Sequence, residues 1–157
     1  MLRRGSGLGI NRDGAWHIRG EKITHERTLD TLNRGFELRE DGEVIVRVGN
    51  QWAYVEIEET PLVVHNIVPR PANQPGPDSI ELALSTKRRE ELKPETLLLV
   101  GEKDLYCTVL NGRTQARFLR PAYHNLLPFL VESAEGYALE LSSGRFTIRS
   151  ESAQKNK

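Results

Sequence analysis

Apolar residues alternate with polar ones over many short stretches of this chain, and only twice do they recur at helical spacing. Trp16 and Ile18 share one face of a short extended segment over 15–19, introduced by the turn pair Asp13-Gly14 and closed by Gly20. Leu29, Leu32 and Phe36 fall at i, i+3 and i+7, which predicts a helix over 25–34. Thr24 is its expected N-cap, Glu26 and Asp30 suit the positive end of its dipole, and Gly35 is its stop. The period returns to two over 43–48 and 52–57, a hairpin turning at Asn50-Gln51. After Glu58-Glu59-Thr60-Pro61 a largely apolar strand is expected over 62–68. Pro69, Pro71, Pro75 and Pro77 then argue against regular structure over 69–77, which reads as a long connection to a strand over 80–84.

Residues 85–96 are charged and reach Lys93-Pro94, so a junction is expected over 87–96, between a first structural unit at 10–86 and a second at 97–150. Lys87-Arg88-Arg89 is cancelled by Glu90-Glu91, and the run reads as a solvated loop or helix face. Strands are expected over 97–100 and 105–110. Pro121 suits the first turn of a second helix, where its missing N–H is not needed. Tyr123, Leu126, Leu127, Leu130 and Val131 give that helix its apolar stripe, and Pro128 kinks it or ends it at Leu127. A last hairpin over 137–141 and 145–149 turns at Ser142-Ser143-Gly144. Residues 1–9 and 151–157 read as flexible tails. Gly5-Ser6-Gly7-Leu8-Gly9 has the glycines of a phosphate-cradling loop but neither the strand before it nor the helix after it. The class is α+β, mainly antiparallel β, with two short helices.

The two helical stretches sit in similar surroundings. A shift of 94 positions places Leu29 on Tyr123, Leu32 on Leu126, Phe36 on Leu130, Gly42 on Gly136, Trp52 on Phe146 and Tyr54 on Ile148. A two-residue slip also matches Gly20 with Gly112. The expectation is a repeated strand–helix–hairpin unit with a ligand seam between the copies. The copies differ most where Arg120-Pro121 stands against Glu26-Arg27, and Tyr123 against Leu29.

Composition narrows the function classes. A chain of 157 residues buries roughly 70% of the surface its unfolded form exposes, enough for one core or two small ones. Its 22 Lys+Arg balance 22 Asp+Glu, which argues against nucleic acid or an anionic membrane as partner, since both demand surplus cations. A single cysteine excludes an internal disulfide and a thiolate-rich metal site. Met1-Leu2-Arg3-Arg4 lacks the apolar run of a secretory signal, and no stretch approaches a membrane helix, so a cytoplasmic protein is expected.

Three segments carry a family resemblance: Asp13-Gly14-Ala15-Trp16 with Gly20 and Ile23; Val55-Glu56-Ile57-Glu58-Glu59-Thr60-Pro61-Leu62-Val63; and Leu119-Arg120-Pro121-Ala122-Tyr123 with Leu126. Together, over about residues 10–150, they resemble the bacterial proteins grouped as domain of unknown function 1285 (DUF1285). The resemblance implies two related structural units with a cleft between them and a small-ligand or signal-transduction role, with no established reaction. Thr60 and Leu62 replace that family's usual Ala and Phe, and Pro128 falls where a longer helix is expected, so the implied cleft wall differs there.

Candidate chemistry is sparse. His17, His25, His65 and His124 lack same-face partners at metal-ligand spacing, and Cys107 lies in an apolar strand, where an inert thiol is expected. No catalytic residue, metal or cofactor is therefore assigned. Glu58 and Glu59 follow a strand end, either as a solvated turn or reaching into a cleft. Arg120 is a fork for carboxylate or phosphate, or else a clamp pairing with Glu58 or Glu132. The expected function is a non-catalytic module holding a small anionic ligand with Arg120, beside Trp16, Glu58, Tyr123 and His124, and acting as a sensor. The alternative is a protein-interaction or homodimer module docking through exposed strands or the 69–77 loop. A hydrolase built on Glu58 and His124 ranks behind both.

Overall fold

The computed structural model describes residues 5–71 and 76–152. The chain forms two compact units that divide between Leu62 and Val63. This boundary lies well before the charged 87–96 stretch, for a reason that the strand pairing of the second unit supplies.

In the first unit, β1 (Leu8–Ile10), β2 (Trp16–Ile18) and β3 (Glu21–Lys22) precede helix α1 (Glu26–Gly35). After the helix come β4 (Phe36–Leu38), β5 (Val44–Val48), β6 (Gln51–Tyr54) and β7 (Glu56–Ile57). They form a sheet of order β3-β2-β1-β7 and an antiparallel sheet β4-β5-β6. Asn11 shapes the β1–β2 turn: its Oδ1 accepts the amides of Asp13 and Ala15, both at 2.9 Å.

Leu8 and Gly9, expected in a flexible tail, belong with Ile10 to strand β1 instead. Leu8 and Ile10 are buried, and between them Gly9 leaves room for a close neighbour. A Cβ there would stand 3.1 Å from the Glu56 carbonyl of β7, which runs parallel to β1. Residues 1–4 of that expected tail lie outside the described residues.

α1 begins one residue later than predicted. Its N-cap is His25, not Thr24, with Nδ1 accepting the Thr28 amide at 3.4 Å. The helix buries Leu32 and ends where Phe36 turns into the core. The expected strand 52–57 is broken in two, because Val55 is buried and its amide donates to Val44 while Glu56 and Ile57 pair with the other sheet.

The second unit carries β8 (Leu62–Arg70), which begins on the last residue of the first unit, then β9 (Ser79–Leu84), β10 (Arg89–Glu91), β11 (Leu98–Val100), β12 (Asp104–Val109) and β13 (Thr114–Phe118). Helix α2 (Arg120–Leu126) follows, then β14 (Leu130–Ser133), β15 (Gly136–Leu141), β16 (Gly144–Thr147) and β17 (Arg149–Glu151). A seven-stranded sheet has the order β10-β9-β8-β13-β12-β11-β17, and β14-β15-β16 is an antiparallel meander.

The charged run is an edge strand of this sheet rather than a junction. Arg89 pairs with Ala83 and Glu91 with Glu81, while Leu92 is buried. Glu90 is half-buried and accepts the Leu110 amide on both carboxylate oxygens, at 3.1 and 3.2 Å. Pro69, expected in a loop, lies near the end of β8 opposite Ile80; residues 72–75 of that loop lie outside the described residues. Glu151, expected in a flexible tail, pairs in parallel with Val100, continuing the pairing of Ser150 with Leu99. Residues 153–157 lie outside the described residues.

Pro128 ends the second helix as predicted. α2 passes into a 3-10 turn over Leu127–Phe129, so Leu130 and Val131 belong to β14 and not to a helical stripe. The class is α+β, mainly β. In each unit a helix is followed by a three-stranded antiparallel meander, and a short strand then pairs in parallel with an earlier one, β7 with β1 and β17 with β11. Among the described residues no helix is long and apolar enough to cross a membrane.

Candidate small-molecule site in the second unit

Trp16 and Glu58 lie in the first unit; Arg120, Tyr123 and His124 lie in the second. Trp16 is 4% exposed, and its indole Nε1 donates to Asn33 Oδ1 at 2.8 Å, so the ring is a core group with its polar edge satisfied. Glu58 is exposed just beyond β7. Its Oε1 accepts the Arg12 amide at 3.2 Å, and Glu59 pairs with the Arg12 guanidinium at 2.7 Å. Arg12 thus meets Glu58 through its backbone amide and Glu59 through its guanidinium. Thr60 and Leu62, which depart from the DUF1285 pattern, are both buried, and the Thr60 hydroxyl donates to the Leu62 carbonyl at 2.7 Å.

Arg120, Tyr123 and His124 share α2 but face different surroundings. Arg120 and His124 are exposed. Tyr123 instead lines a cavity of about 550 Å³ lying wholly within the second unit. Ligand pockets commonly span about 300–1,000 Å³. The sheet supplies Leu99 and Leu105, and the turn behind α2 supplies Leu127. Leu130 enters from β14, Tyr137 from β15, and Ile148 from the link between β16 and β17. Leu127 and Tyr137 are each 45% exposed, so the cavity opens to solvent beside them.

Electrostatically the cavity is one-sided. Glu102, in the turn between β11 and β12, is the charged side chain among the described residues that line it; none of them is Lys, Arg or His. Burial pushes the Tyr123 phenol above its ordinary range, and Tyr137 and the Asp104 carboxylate push the same way. The ring therefore stays neutral at physiological pH.

Other groups offer little chemistry. Cys107 is fully buried, and burial, reinforced by Glu90, holds its thiol protonated. His25 caps α1, and His65 falls at the irregularity between Val64 and Asn66 in β8. Among the described residues no three of His, Cys, Asp or Glu gather as a metal-binding set. The first unit has a hollow of about 610 Å³, bordered by Asp41, Glu43 and Glu56 together with glycines, Tyr54 and several aliphatic side chains.

Tyr137, Glu102 and Leu127 carry no sign of a site in the sequence, where Leu127 reads as part of a helical stripe. Tyr137 reads there as an ordinary hairpin residue, and only the fold brings it to Tyr123. A turn carboxylate such as Glu102 has no linear signature at all.

Set against known proteins, the chain shows a fold likeness. No protein-family model matches it, and no curated protein does. A DUF1285 family protein from Silicibacter pomeroyi DSS-3 matches with a TM-score of 0.72 at 14% identity, over 95% of this chain and 82% of that one. Another from Shewanella baltica OS155 matches with a TM-score of 0.58 at 16% identity, over 79% of this chain and 92% of that one. The chain thus has a DUF1285-like fold, in keeping with the resemblance that its sequence motifs carry.

Proposed function

We propose that this protein is a non-catalytic module that binds a small molecule, with the cavity of the second unit as its site and sensing as its role. The observation that carries this reading is the cavity itself, in which five aliphatic side chains and two phenols surround about 550 Å³. Its lining supplies burial and orientation but no nucleophile paired with a base. Tyr123 holds its proton, which suits a hydrogen-bond donor to a ligand better than a general base.

The common order of helix, meander and parallel return strand supports the further reading that the two units are copies of one pattern. On that reading function resides where they differ, and Tyr123, standing where the first copy has Leu29, is such a difference. The anion-binding role expected of Arg120 gains no support from the cavity, since Arg120 does not line it.

Ligand-observed NMR against a panel of small aromatic and aliphatic compounds tests the proposal, with Leu130→Trp as the cavity-filled control. Compounds that bind the wild-type protein and lose binding in the variant support it. Binding that the variant retains, or no binding across the panel, overturns it. A protein-docking role is then the reading left, and sedimentation or pull-down with the intact chain examines it.

A further inference from the structure

We infer that the cavity of the second unit selects an organic cation: an ammonium group on an apolar or aromatic body. This inference rests on the small-molecule reading above and deepens it.

The lining divides into two parts that suit the two ends of such a ligand. Leu99, Leu105, Leu130 and Ile148 offer an apolar surface able to cover a hydrocarbon body. Tyr123 and Tyr137 add two aromatic rings, whose electron-rich faces attract cations and do not attract carboxylates. Glu102, exposed in the turn between β11 and β12, adds a full negative charge at the rim of the same cavity. Asp104, next in the chain after the Glu102–Lys103 turn, lies close enough to Tyr123 to act on its phenol.

An anion entering this space would meet the Glu102 carboxylate with no lining cation to offset it. A neutral ligand would gain the apolar contacts alone. A cation gains the apolar contacts and the rings, with the exposed Glu102 carboxylate adding a salt-screened attraction at the rim. The other concave regions are weaker candidates. The 610 Å³ hollow of the first unit also combines acidic residues with Tyr54 and aliphatic side chains, but the surface it exposes is mostly polar, whereas that of the second unit's cavity is mostly apolar. The Arg39–Trp52–Arg47 stack, with guanidinium carbons 5.2 and 4.9 Å from the ring centre, already supplies its own cations.

The test uses three ligands on one nine-carbon skeleton: 3-phenylpropylammonium, 3-phenylpropanol and 3-phenylpropanoate, titrated calorimetrically into the intact protein. The ammonium compound is expected to bind about tenfold more tightly than the carboxylate, with an affinity that falls as salt rises. Glu102→Gln is expected to weaken the ammonium compound severalfold and leave the alcohol unchanged. Equal or tighter binding of the carboxylate overturns the charge assignment while leaving the small-molecule reading intact. So does a Glu102→Gln variant, folded by its melting curve, that binds the ammonium compound as well as wild type does. If none of the three binds, the cavity reading falls and this inference falls with it.

Discussion

Trp16 Nε1 and Asn33 Oδ1 stand 2.8 Å apart, a side-chain hydrogen bond that ties β2 to α1 across 17 positions of sequence. With the indole 4% exposed, its N–H has little access to water if Asn33 is lost. Asn33→Leu should therefore lower stability by about 1–3 kcal/mol, the cost of a buried donor left unpaired. Trp16→Phe in the Asn33→Leu background removes that donor, so its further cost should be smaller than the cost of Trp16→Phe alone. Urea unfolding of the three variants checks this; additive losses would show that the bond contributes nothing.

Gly35 closes α1 against β5. In an exposed helix Gly→Ala stabilises by about 1 kcal/mol. Here an added Cβ would run into the backbone carbonyl of Arg47 and crowd the Val46 side chain. Backbone cannot swing aside as a side-chain tip can, so the clash should win. Gly35→Ala is expected to destabilise by about 1–3 kcal/mol, read from the urea midpoint, whereas Gly20→Ala meets no atom within 4 Å and strains only its own positive φ.

Cys107 lies in β12 without solvent exposure, and its thiol is held above the ordinary range by burial first and Glu90 second. The folded chain should be silent to a thiol reagent such as Ellman's at pH 8 and react once denatured. Because folding raises this pKa, the associated stability is intact at neutral pH and declines once the pH exceeds the unfolded thiol's range of about 8.5. Prompt reaction of the native protein would contradict the burial.

Tyr123 reports on the field in the cavity. Burial, Tyr137 and Asp104 all raise its phenol, so the folded protein holds this proton more tightly than the unfolded chain does. That contribution to stability is present at neutral pH and is lost as pH climbs through the ordinary phenol range, near 10, toward the folded value. Asp104→Asn removes one negative neighbour and should bring the Tyr123 titration down. Subtracting the ultraviolet titration of a Tyr123→Phe variant separates the Tyr123 signal from those of Tyr54, Tyr106 and Tyr137; an unchanged midpoint would mean that the carboxylate does not act on the cavity.

The parts of the fold legible in the sequence are those whose residues declare their own environment. β9 and β12 alternate buried and half-exposed positions without a break, and Leu32 with Gly35 marks α1 as plainly as Pro121 marks α2. What escaped is structure made by partners distant in the chain. β1 is three residues around a glycine, β10 is wholly charged, and β17 has no buried residue, yet each is fixed by neighbours that pair with it. Val55 also breaks a smooth alternation by handing the chain from one sheet to the other. For the same reason the site was legible only at Tyr123. Its companions Glu102 and Tyr137 stand 21 and 14 positions away, and nothing local foretells that they meet.

Methyl NMR of the intact protein, titrated with 3-phenylpropylammonium, tests the central claim most directly. The account predicts that the methyl signals of Leu99, Leu105, Leu127, Leu130 and Ile148 shift together along one saturating curve while those of Ile10, Val44 and Ile57 in the first unit stay in place. A saturating response confined to the first unit, or no response at the methyls of these five residues, would contradict it.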